Sequence, residues 1–167
     1  SRLSIYQFDD KVDEIVPLTQ VTDDNIDSII EKINNMKPRG GTNIYQPIQR
    51  IIKDLSVRDD QSRNASILLL TDGAPNQGGS YSEEEGAVRL YEKLGVHYPI
   101  YTFGFGYTLK KGLMYNIAQK TGGVNSHIPD GSFVATVFSN ALANILNTCS
   151  CFVISTYVNS TQHNSKL

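Results

Sequence analysis

The sequence predicts an α/β fold: an open, mostly parallel sheet with helices on both faces. Three observations carry that prediction. First, Ser66-Ile-Leu-Leu-Leu runs without interruption into Thr71-Asp72-Gly73-Ala-Pro-Asn76. A continuous apolar run that ends in turn residues is the pattern of a strand buried on both faces. Second, strand-like and helix-like segments alternate along most of the chain, and that alternation makes a parallel sheet covered by helices. Third, 167 residues with 40% hydrophobic and 19% charged content suit one domain with a single core.

The elements follow in order. Arg2 to Phe8 alternates and reads as a strand. Asp9-Asp10-Lys11 is a polar turn, and Val12 to Leu18 reads as a second strand ended near Pro17, so the two form a hairpin. Thr22-Asp23-Asp24 starts a helix with a capping hydroxyl and acids in its first turn. Ile26, Ile29, Ile30, Ile33 and Met36 give it one apolar face. Thr42-Asn43 opens a second helix with the stripe Ile44, Ile48, Ile51, Ile52 and Leu55, and Pro47 must fall in its first turn. The strand that ends at Asp72 comes next, followed by a loop through Gln77 to Tyr81. Ser82-Glu83-Glu84-Glu85 reads as a capping box, and Gly95 stops the helix it begins. Tyr98 to Phe105 is a strand, Leu109 to Thr121 a helix, and Val124 to Ile128 a short strand. A last helix runs from Phe133 to Leu146, a strand from Cys151 to Val158, and a polar tail from Asn159 to Leu167. The arrangement is Rossmann-like.

Composition removes several functions. A net charge of −2 and the lack of any Lys/Arg-rich block argue against nucleic acid as a partner. No apolar run approaches the roughly 18 residues that span a bilayer, so no membrane partner is expected. Ser1-Arg-Leu-Ser-Ile-Tyr-Gln-Phe8 has neither an initiator Met nor the apolar stretch of a signal peptide, which suggests a fragment or a processed chain. Cys149 and Cys151 are too close in sequence for an unstrained disulfide and read as strand residues. Asn64-Ala-Ser66 and Asn159-Ser-Thr161 have the form of glycosylation triplets, a form that arises often by chance.

Three loops fall at the carboxyl ends of the strands, where open α/β sheets bind ligands: Gly40-Gly41-Thr42-Asn43, Thr71-Asp72-Gly73 and Gly104-Phe105-Gly106. Thr42 brings a hydroxyl, flanked by glycines that allow close backbone approach. Asp72 brings a carboxylate. Hydroxyl, carboxylate and water suit a hard cation such as Mg²⁺. Thr42 reads equally as a helix N-cap, and Asp72 equally as the cap of its turn. Phosphate-loop and dinucleotide motifs are absent. Aspartyl-phosphate chemistry wants a second acid two residues after the first, and that position is Ala74. The three histidines, His97, His127 and His163, are scattered.

Gly40-Gly41-Thr42-Asn43, Ile67-Leu-Leu-Leu-Thr71-Asp72-Gly73 and Pro99-Ile-Tyr-Thr-Phe-Gly104-Phe-Gly106 together resemble the von Willebrand factor type A (vWA) domain. The likeness runs from Arg2 to about Thr148. Ile128-Pro-Asp130-Gly-Ser-Phe-Val134 is most similar to intracellular members, some joined to ubiquitin-ligase modules. The resemblance implies a metal-ion-dependent adhesion site that binds an acidic side chain of a partner protein through Mg²⁺, without turnover. It assigns Thr42 and Asp72 as metal ligands and Gly41 and Gly73 as loop-shaping residues.

The sequence departs from the family in one respect. The family's Asp-x-Ser-x-Ser loop, at the end of its first and central strand, has no counterpart here. Metal binding is therefore expected to be weak or absent. The sheet is expected to be incomplete at its N-terminal strand, with a gap of roughly 10 Å. Filling of that gap by Cys151 to Val158 is not expected, because a strand at this point in the family more often begins a following domain. The expected organisation is a vWA-like domain over 1–148, then a strand and polar tail over 149–167, with neighbouring domains in a longer chain. The expected function is non-enzymatic protein binding. The alternatives are a Rossmann-like hydrolase or phosphotransferase that uses Asp72, and a metal-free structural remnant.

Overall fold

The computed structural model describes residues 1–72, 82–105, 111–128, 133–146 and 151–156. The elements are β1 (Arg2–Phe8), β2 (Val12–Gln20), α1 (Ile26–Asn34), α2 (Tyr45–Ser56), β3 (Ala65–Thr71), α3 (Glu83–Leu94), β4 (Ile100–Phe105), α4 (Lys111–Thr121), β5 (Asn125–Ile128), α5 (Val134–Leu146) and β6 (Cys151–Thr156). The strands form one sheet in the order β2-β1-β6-β3-β4-β5. Only the β1–β2 hairpin is antiparallel; the other four neighbour pairs are parallel.

The apolar run of β3 explains the two layers of helices. Ile67, Leu68 and Leu69 are all 0% exposed. Successive side chains of a strand point to opposite faces, and two separate cores receive them. Ile67 and Leu69 pack with Ile48, Ile51 and Ile52 of α2, Tyr91 of α3 and Ile117 of α4. Leu68 packs with Phe103, Ile128 and Ile145 of α5 on the other face. The open, mostly parallel sheet with helices on both faces is therefore as the sequence predicts.

Local expectations fare unevenly. Pro47 lies in the first turn of α2 and Gly95 closes α3 in the left-handed conformation. β2 continues through Pro17 to Gln20 rather than stopping there. It is an edge strand with irregular register near that point, and an edge tolerates a residue without an N–H. α1 starts at Ile26, not at Thr22; Thr22 N instead donates to Asn25 Oδ1 at 3.0 Å. Its apolar stripe is only partly used. Ile29 is buried against Ile5 and Val16, whereas Ile26, Ile30 and Ile33 are exposed, because α1 lies beside an edge strand. Ser82 precedes α3 as expected but its side chain makes no capping bond.

The largest correction concerns the centre of the sheet. The expected gap between β1 and β3 does not exist, because β6 occupies it. Arg2 to Gln7 pairs with Cys151 to Thr156 on one side, and Ala65 to Leu70 pairs with the same six residues on the other. The sequence argued against this fold-back, yet the physical reason for it is direct. Two facing rows of unpaired backbone groups are costly to leave open, and Cys-Phe-Val-Ile-Ser-Thr has the β-branched, apolar composition of a central parallel strand.

Candidate metal-binding edge

The 40–43 loop is fixed by the turn that follows β1. Asn43 N donates to Asp9 O at 2.8 Å. Arg39 reaches Asp9 Oδ2 at 2.6 Å and Asp13 Oδ2 at 2.5 Å, so the loop and the hairpin are joined by a three-membered ion network. Asp9 Oδ1 also accepts from Lys11 N at 2.6 Å, which explains how this carboxylate is kept 8% exposed. Gly41 has φ +86°, and a Cβ there would lie 2.0 Å from Asp10 Oδ1. A side chain there would have to push the Asp10 carboxylate aside, and the positive φ itself favours glycine.

Thr42 is 4% exposed and Asn43 8%. Thr42 is not the N-cap of α2, which begins at Tyr45 after Ile44. The capping type of bond comes from Asn43, whose Oδ1 accepts from Gln46 N at 3.1 Å. The helix-cap reading of Thr42 therefore does not hold.

Asp72 directly follows β3, in a bend, and is half-buried. Thr71, beside it, is 0% exposed and pairs with Gly104 of β4. Gly73 and Gly106 lie outside the described residues. The Thr42 loop is tied to the end of β1 and Asp72 to the end of β3, with β6 between those strands. The two residues thus bracket the carboxyl end of the central strand, where Thr156 pairs with both Gln7 and Leu70. The strands that carry them are about two spacings, roughly 10 Å, apart.

A threonine hydroxyl and an aspartate carboxylate are hard oxygen donors, and they fit Mg²⁺ in kind. Among the described residues there is no group of three or more His, Cys, Asp or Glu that could hold a metal. Sequence reasoning read Asp9 and Asp10 as a polar turn and gave Arg39 no role at the site. The available signal was Gly41 itself, since a glycine beside a buried threonine asks what approaches its backbone.

Known proteins resemble the chain at two levels. The profile of the von Willebrand factor type A domain matches residues 1–142. Inter-alpha-trypsin inhibitor heavy chain H3 of Bos taurus is 32% identical over 125 residues, covering 72% of this chain and 14% of that protein. The Homo sapiens protein of that name is 29% identical over 120 residues, 69% of this chain and 13% of its own length. The chain thus spans only about a seventh of these relatives. Among solved structures, a von Willebrand factor type A protein from Catenulispora acidiphila superposes with a TM-score of 0.67 at 16% identity, over 86% of this chain and 33% of that one. Proximal thread matrix protein 1 of the mussel byssus, with a zinc-occupied MIDAS motif, superposes at 0.66 with 21% identity, over 85% and 35%. At these identities the structural likeness speaks for the fold. With the profile matched across most of its length, the chain belongs to the von Willebrand factor type A domain family.

Proposed function

We propose that this domain is a non-enzymatic protein-binding module in which Thr42 and Asp72 hold a divalent cation, Mg²⁺, that takes an acidic side chain from a partner protein. The observation that carries the reading is the placement of a buried threonine and an aspartate on either side of the central strand's carboxyl end. Family membership and the metal-occupied relative from mussel support it. Gly41 shapes the first loop by admitting Asp10, and Gly73 is assigned the equivalent task beside Asp72.

The cation, when bound, supplies a positive centre for a carboxylate. Thr42 and Asp72 would hold it, and water and the partner's carboxylate would complete its shell. Affinity is weak on this reading, because the family's Asp-x-Ser-x-Ser loop has no counterpart in this sequence.

A thermal melt in Mg²⁺ against EDTA tests this. A ligand that binds only the folded state stabilises it by about 2.7 kcal/mol at a hundred times its Kd. The expected result is an upward shift in Mg²⁺ that disappears in Thr42→Val and in Asp72→Asn. No shift at millimolar Mg²⁺, or an undiminished shift in both variants, refutes the assignment.

A further inference from the structure

We propose a second ligand site at the opposite, amino edge of the sheet: a cavity that binds a small phosphate ester through Arg58, Arg63, His97 and Tyr98. The cavity holds about 650 Å³ and lies between the connection 58–65 and the segment 95–101. That volume is within the usual range for small-molecule sites. Two arginines and a histidine line it, and among the described residues no Asp or Glu does. A cationic recess on a chain of net charge −2 is a local feature, not a reflection of the whole surface.

Arg58 is held ready without being neutralised. Its Nε donates to Asp60 O at 2.9 Å, Nη1 to Leu55 O at 3.1 Å, and Nη2 to Arg63 O. Its guanidinium carbon stands 5.3 Å from the centre of the Tyr98 ring. These partners are carbonyls and a ring face, so they orient the group and leave its full charge. Among the described residues no carboxylate pairs with Arg58: Asp59 pairs with Arg2, and the Asp60 carboxylate accepts from Ser62. A guanidinium has five N–H groups; one on each terminal nitrogen is left for a ligand.

The second observation is Tyr98. It is 5% exposed, and its hydroxyl is buried with no hydrogen-bond partner among the described residues. A buried hydroxyl left unsatisfied is unfavourable, and Tyr98 lines the cationic cavity, where an anion's oxygen is a suitable partner. The backbone beneath it is rigid, since Tyr91 donates its hydroxyl to Tyr98 O. The two remaining Arg58 N–H groups, with the Tyr98 hydroxyl and His97, suit the several oxygens of a tetrahedral phosphate. Val96, Pro99 and Tyr101 add apolar wall, which is why an ester is assigned and not the free ion.

Titration with phenyl phosphate, followed by amide NMR at constant ionic strength, tests the site. The expected shifts cluster at 63–65 and 96–98, and inorganic phosphate binds at least fivefold more weakly. Arg63→Gln and Tyr98→Phe each weaken phenyl phosphate about fivefold or more. Arg58→Lys is expected to abolish binding but also removes the carbonyl contacts, so the other two variants carry the test. Shifts centred on 40–43, or unchanged affinity in both Arg63→Gln and Tyr98→Phe, overturn the site. Equal affinity for inorganic phosphate overturns the ester assignment in favour of the free ion.

Discussion

The two edges of this sheet are built from opposite charges. At the carboxyl edge, Asp10 lies against the loop that carries Thr42, Asp72 follows β3, and Arg39 is matched by Asp9 and Asp13. At the amino edge, Arg58, Arg63 and His97 line a recess with no carboxylate among its described lining residues. The same strands feed both. The lesson is that a parallel sheet fixes where its two loop sets fall, while the loop residues alone decide what each edge attracts.

Close backbone approach supports both edges, which gives the sharpest way to break the comparison. At the amino edge, a Cβ on Gly123 would lie 2.0 Å from Ile100 O, a backbone atom of β4 that cannot step aside. Gly123→Ala is expected to cost about 2–3 kcal/mol in urea unfolding, as overpacking does. Gly41→Ala meets the movable Asp10 carboxylate instead, but with φ +86°. Its expected cost is about 1–2 kcal/mol, mainly from the left-handed backbone. Adding Asp10→Gly relieves the contact and not the backbone term, so the double variant recovers only part of the loss. Full recovery would mean that the contact, not the conformation, requires glycine.

The sheet was legible in the sequence where burial is complete on both faces. Ile67 to Leu69 announced a central strand because nothing polar interrupts them. The hairpin, the helix stripe of α2 and the stop at Gly95 follow from equally local rules. Illegible were features decided by distant partners. The insertion of β6 depends on two strands more than eighty residues away in sequence. The exposure of Ile26, Ile30 and Ile33 depends on α1 lying at an edge. Thr42 was visible as a hydroxyl at a helix start, but only Asn43's bond to Gln46 decides that the cap lies elsewhere. The basic recess left no motif, because Arg58 and Tyr98 meet only when the chain has folded.

A pair of tyrosines separates structural from ligand-directed hydroxyls at the amino edge. The Tyr91 hydroxyl donates to Tyr98 O, whereas the Tyr98 hydroxyl has no partner among the described residues. Tyr91→Phe strands a buried carbonyl and is expected to cost about 1 kcal/mol. Tyr98→Phe removes an unsatisfied group, so without ligand it is expected to be neutral or stabilising by up to about 1 kcal/mol. Denaturation curves of the two variants should therefore move in opposite directions. A loss of stability in Tyr98→Phe equal to that in Tyr91→Phe would place its hydroxyl among the structural ones.

Alkaline pH gives the smallest effect and the finest test of that rigidity. Burial, then the neighbouring Tyr98, push the Tyr91 phenol above its ordinary pKa, and the bond to Tyr98 O offsets only part of the rise. Burial does the same for Tyr6, aided by Asp54 and Glu14, which accept from its hydroxyl. Both phenols therefore stay protonated in the folded chain after they would ionise in the unfolded one. Their contribution is whole below about pH 10, the unfolded value, and declines as pH rises above it. Each is expected to account for about 0.8 kcal/mol of lost stability at about pH 10.5. Urea titrations across that range should show a shallower alkaline decline in Tyr91→Phe and in Tyr6→Phe, and the shallowest in the double variant. If Tyr91→Phe leaves the decline as steep as in the parent, its phenol ionises in the folded chain, and the support beneath the recess is not the fixed bond described here.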